Sequence, residues 1–151
     1  FIRSPDAHFS LANFMRTHLM SAMATLKIGL DILTDQENVP IDTIYGHGGY
    51  FKTPEVGQRI LSAAVNAPIS VMETAGEGGP YGMALLAAYS IWKDAGETLE
   101  DYLANKVFAN ASTSTVKATP EEVAGFNSFL NRYKKAIPVE NLAIHSVDEQ
   151  S

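Results

Sequence analysis

The chain has 151 residues, of which 46% are hydrophobic, and it carries a net charge of −6. That length and apolar content suffice for one domain, or a large part of one, with a real core, and they exclude intrinsic disorder. The acidic balance argues against a nucleic-acid partner or an anionic membrane held by bulk electrostatics, and the absence of cysteine removes disulfides, thiolate metal sites and thiol nucleophiles.

Ser4-Pro5-Asp6 can form an early turn, and Ser10 is placed to cap the helix that follows. Leu11, Phe14, Met15, Leu19, Ala22, Met23, Leu26, Leu30 and Leu33 recur at helical spacing and predict a long amphipathic helix ending near Gln36. Ile41 to Tyr45 is a short β-branched run, a predicted strand that stops at Gly46-His47-Gly48-Gly49. Thr53-Pro54-Glu55 reads as the start of a second helix, which Asn66 and Pro68 close. A second strand, Ile69 to Met72, runs into another glycine cluster, Gly76, Gly78, Gly79 and Gly82. Pro80 to Trp92 is helical and rich in small residues, which predicts a buried helix. Thr98 and Asp101 open a short helix reaching about Asn105. Asn110 to Thr115 reads as a polar loop, and its Asn110-Ala111-Ser112 matches the glycosylation pattern by chance. Thr119-Pro120-Glu121-Glu122 is a capping box ahead of Val123, Phe126, Leu130 and Tyr133. Lys134 and Lys135 suit the end of that helix, and Pro138 is expected to terminate it, leaving residues 139–151 as a tail.

Two strands flanking one helix should be parallel, a βαβ unit. Two strands alone make a marginal sheet, so further strands are expected from elsewhere. The chain begins at Phe1 with nine residues before its first long apolar pattern, and it reads as the middle of a longer polypeptide. No membrane-spanning run or secretory signal is present, so a soluble, cytoplasmic protein is expected.

The segment Gly46 to Pro54 is the main candidate for chemistry. It joins the carboxyl end of a strand to a helix, where open α/β sheets bind ligands. Its glycines let a nucleoside or phosphate rest on bare backbone, although a plain strand-to-helix turn accounts for the same residues. A Walker loop and a dinucleotide fingerprint starting at Gly46 both fail at Phe51, and the fingerprint from Gly76 fails at Tyr81. The cluster Gly76 to Gly82 is better explained by close helix packing. His8, His18, His47 and His145 show no metal-ligand spacing, and His47 reads as a hydrogen-bonded bystander. Asp94, Glu97, Glu100 and Asp101 read as a solvated helix boundary, and no catalytic base stands out.

Leu11 to Leu103 resembles the C-terminal half of the second domain of FGGY-family carbohydrate kinases. The resemblance rests on Ile41-Asp42-Thr43-Ile44-Tyr45-Gly46-His47-Gly48-Gly49, on the helix from Pro54 to Pro68, and on Gly82-Met83-Ala84-Leu85-Leu86-Ala87-Ala88. Pro120 to Ala136 resembles a late helix of many pentulose kinases. Departures are Ser62-Ala63, where Ala-Asp is common, and the unusual Gly78-Gly79-Pro80-Tyr81. The resemblance implies an α/β fold: a helix-rich fragment of the ribonuclease H-like ATPase domain of the actin, Hsp70 and hexokinase superfamily, with a short parallel βαβ core. It places residues 1–138 in the ATP-binding domain and 139–151 in a tail. It implies ATP and Mg as cofactors, and transfer of the γ-phosphoryl group to a sugar, xylulose or ribulose being the expected pentuloses. Gly48 and Gly49 would face the adenosine and α-phosphate, with Tyr50, Lys52 and Thr53 around the adenine. The catalytic base would lie in the preceding part of the same polypeptide, which is then a partner of this chain, so the fragment alone should be inactive. A homodimer is left open. The other readings are a non-catalytic nucleotide-binding or interaction module of the same superfamily and a Rossmann-like oxidoreductase, the latter disfavoured by the failed fingerprint.

Overall fold

The computed structural model describes residues 1–73 and 78–148. Gly76 of the second glycine cluster and the last three residues of the expected tail lie outside them. The chain forms two compact units: Phe1–Ile41 with Ile60–Asn66 and the chain from Ala118 on, and Asp42–Arg59 with Ala67–Lys117.

The first unit is helical. Ser10 caps α1 (Leu11–Asp31) as expected, accepting the Asn13 N–H at 3.2 Å. A π-turn, Ile32–Gln36, carries the helix to its predicted end. The apolar stripe is wider than its cover: Ala24 is fully buried and Met20, Met23 and Ile28 partly so, while Leu11, Met15, Leu26 and Leu33 are exposed. The long helix α5 (Pro120–Asp148) opens with the predicted capping box, in which the Glu122 N–H donates to Thr119 Oγ1 at 3.3 Å and the Thr119 N–H to Glu122 Oε2 at 2.8 Å. Phe126 and Leu130 pack with Ala24, Ala63, Ala64 and Ala118 as the apolar core. Pro138 does not end α5, contrary to the sequence reading. A proline inside a helix loses one backbone bond but keeps a helical φ, and here the helix runs ten residues beyond it, to Asp148. Lys134 therefore stands mid-helix, 3.7 Å from the Asp31 carboxylate, instead of at a helix end.

The second unit holds a three-stranded sheet in the order β1-β2-β3. Strands β1 (Ile44–Gly46) and β2 (Ile69–Met72) are parallel, as the βαβ pattern predicts, with Ile44 opposite Ile69. Strand β1 starts three residues later than its apolar run because a strand extends only as far as its partner. The ladder begins where the Ile44 N–H meets the Pro68 carbonyl at 3.0 Å. The polar stretch expected to be a loop, Asn110 to Thr115, overlaps β3 (Thr113–Val116), antiparallel to β2, so one of the missing strands comes from within the chain. Thr113, Thr115 and Val116 suit a strand, but with no apolar alternation only pairing with β2 reveals it.

Helix α2 (Val56–Val65) begins later than Thr53-Pro54-Glu55 suggests. Glu55 takes a left-handed φ of 61°, and its carbonyl accepts the first helical bond, from the Arg59 N–H at 2.8 Å. The chain must turn sharply to enter the helix there, so Thr53 and Pro54 belong to the turn. Asn66, at φ 53°, ends α2 as predicted. Gln58 is 4% exposed, and its Nε2 donates to the Ile69 carbonyl at 3.1 Å and the Ser114 carbonyl at 2.9 Å, tying α2 to two strands.

Helix α3 (Gly78–Trp92) overturns the expectation of burial. None of its residues is fully buried, and Met83, Ile91 and Trp92 are each more than two-thirds exposed. Small residues permit close approach but do not supply a partner; the side bearing Tyr81, Gly82, Leu85, Ala88 and Tyr89 is only half-buried. Thr98 caps α4 (Leu99–Tyr102) as predicted, receiving the Asp101 N–H at 3.1 Å. Asp94 and Glu97 are more than solvated acids, since both grip Lys106 Nζ, at 2.6 and 2.9 Å.

Candidate functional site

The parallel pair fixes the geometry. β1 and β2 point the same way, so their ends at Gly46 and Met72 lie at the same edge of the sheet. At that edge the His47 Cβ stands so near Gly78 that a Cβ on the glycine would lie 3.0 Å from it. The turn after β1 is therefore adjacent to the first residue of α3.

That turn is tightly specified. Gly48 adopts φ 97° and ψ −176°, a region open essentially to glycine alone. A 3-10 turn, Gly49–Phe51, follows: the Phe51 N–H donates to the Gly48 carbonyl at 3.1 Å and the Lys52 N–H to the Gly49 carbonyl at 3.3 Å. Among the described residues, nothing stands within 4 Å of where a Cβ would project from Gly48 or Gly49. No described side chain covers their backbone, as a ligand-receiving surface requires.

Two other glycines of the region have a different use. A Cβ on Gly46 would come within 2.6–2.8 Å of three carbons of the Phe51 ring. A Cβ on Gly57, in the first turn of α2, would come 2.5 Å from the Tyr50 carbonyl oxygen and 2.8 Å from its ring. The two rings meet edge to face, with centroids 5.4 Å apart. Tyr50 is half-buried, and burial pushes its phenol up to about 12.

The five residues predicted for nucleotide binding thus occupy different settings. Gly48 and Gly49 offer bare backbone, Lys52 and Thr53 are exposed on the same turn, and Tyr50 rests on Gly57. Phe51, Gly57 and Gln58 escaped the sequence reading. Phe51 and Gly57 stand eleven positions or fewer from Gly46, yet only the fold seats each ring on its glycine. Ser62, a departure from the kinase pattern, has an internal role: it is fully buried and its Oγ accepts the Ala118 N–H at 2.8 Å. No group of three or more metal-ligating side chains occurs among the described residues. No helix among them is long and apolar enough to cross a membrane.

The family model described as the C-terminal domain of the FGGY family of carbohydrate kinases matches residues 1–91. The match takes in α1, both parallel strands, the glycine turn and all of α3 but its last residue. No curated protein and no solved structure matches the chain.

Proposed function

Because this chain belongs to the FGGY family of carbohydrate kinases, we propose that it supplies the adenosine-binding side of the cleft in an ATP-dependent kinase acting on a pentulose such as xylulose or ribulose. The observation that carries this reading is the Gly48-Gly49 backbone at the carboxyl edge of a parallel strand pair, where no described residue stands within 4 Å of the space their side chains would fill. The geometry there suits ATP: Gly48 and Gly49 would face the adenosine and α-phosphate, with Lys52 and Thr53 beside the adenine. Tyr50 would share that pocket while resting on Gly57. Magnesium accompanies the nucleotide in this reading, but the described residues offer it no protein-built site. When bound, ATP supplies the γ-phosphoryl group; the part of this chain is to hold and orient the nucleoside end, since positioning and electrostatics carry phosphoryl transfer.

In this reading the fold is a fragment of the ribonuclease H-like ATPase domain. Residues 1–138 belong to the ATP-binding portion, and 139–151, which begin with the last turns of α5, lie beyond it. The base that takes the sugar proton is supplied by the preceding part of a cytoplasmic polypeptide, and a homodimer is compatible with the assembly. Saturation-transfer NMR on the 151-residue chain tests the nucleotide site. ATP should show transfer to its adenine and ribose protons, and NAD or sugar should show none beyond its shared adenosine. Absence of transfer to ATP would sink the assignment, and sugar phosphorylation by this chain alone would refute its dependence on an outside base.

A further inference from the structure

We infer that Phe51 on Gly46 and Tyr50 on Gly57 form a two-point latch that presets the glycine turn before any ligand arrives. One point fastens the turn to the end of β1, where the Phe51 ring lies flat against the space that a Gly46 side chain would fill. The other fastens it to the first turn of α2, where the Tyr50 carbonyl and ring occupy the space of a Gly57 side chain. The rings brace each other edge to face, at 5.4 Å and an interplanar angle of 75°. Between the two fixed points lie Gly48 and Gly49, whose backbone is the part left open.

The four glycines therefore divide their labour: Gly46 and Gly57 are bare to seat rings, and Gly48 and Gly49 meet no described residue where a side chain would stand. A turn held this way spends no binding energy on ordering itself when a ligand docks. Phe51 is accordingly a positioning residue. What the turn receives rests on the nucleotide reading above, whereas its shape does not.

Amide hydrogen exchange of Phe51 and Lys52 reports the shape directly, because their N–H groups close the 3-10 turn onto Gly48 and Gly49. In the 151-residue chain, Phe51→Leu and Gly46→Ala should each speed that exchange about tenfold, the scale of one aromatic contact. Phe51→Tyr, which keeps the flat ring, should restore slow exchange. The double variant Gly46→Ala with Phe51→Leu should exchange no faster than Phe51→Leu alone, because both changes break one contact. A general loss of stability would speed exchange at protected amides throughout the unit, whereas loss of the latch speeds it at Phe51 and Lys52. ATP affinity should fall about tenfold in Phe51→Leu and recover in Phe51→Tyr. Gly57→Ala probes the second point independently and should give the same acceleration, should the first-point variants fail to fold.

Free exchange at Phe51 and Lys52 in the unsubstituted chain would overturn the latch, as would additive effects in the double variant. Unchanged ATP affinity in Phe51→Leu would overturn its bearing on binding while leaving the nucleotide site intact. Slow exchange with the expected variant pattern but no ATP binding would uphold the latch and remove the nucleotide assignment.

Discussion

The two units are held together by different means. The helical unit relies on apolar volume: Phe126, Leu130 and four alanines are buried together. The sheet unit is fastened by directed contacts, among them the Gln58 amide on two strand carbonyls, the Ser70 and Thr115 hydroxyls 2.7 Å apart, and aromatic rings seated on glycines. Volume-held packing tolerates changes of shape and fails on loss of size. Contact-held packing tolerates changes of size and fails on loss of a donor or of a bare Cα. The candidate site lies in the second kind, where a few directed contacts set the backbone.

The largest test of this contrast is Phe126→Ala. Removing the ring from a site that is 1% exposed should cost about 3–5 kcal/mol in a chemical denaturation experiment, with Phe126→Leu losing much less. Near-equal losses for the two would mean that the helical unit also depends on specific contacts. Gln58→Leu is the complementary change, close in size but without the amide. It should cost roughly 1–3 kcal/mol because two strand carbonyls lose a buried donor. A neutral result would break the distinction between the units.

The smallest expected effect is a pH dependence. Burial raises the Tyr50 phenol to about 12, above its unfolded value near 10. The folded state thus favours the protonated form, and the stability it contributes is complete below pH ~10 and lost as pH rises through the folded value. Phenolate absorbance of the native chain should show one late-titrating tyrosine that disappears in Tyr50→Phe. If no such phase exists, burial does not desolvate the Tyr50 phenol.

The capping box at Thr119 and the caps at Thr98 and Ser10 were legible because each depends on residues within three positions of one another. The parallel pair was legible because a βαβ connection leaves little choice of direction. Strand β3 was not, since a run of Thr and Ser alternates in no apolar sense and becomes a strand only against β2. The entry to α2 was misread for a related reason. Proline at a first helical position is a good local signal, but the path of the turn required a left-handed residue at Glu55, which displaced the start to Val56. Pro138 shows the opposite case, a strong local stop that the helix overrides.

The sequence by itself determined the family, the order of most elements and the place of the glycine turn, because these rest on spacing along the chain. Only the tertiary structure decided what each glycine is for. Whether a missing side chain makes room for a neighbouring ring or for a ligand depends on which atoms face it, and those are brought there by the fold. At Gly46 and Gly57 they are Phe51 and Tyr50; at Gly48 and Gly49 no described residue stands within 4 Å.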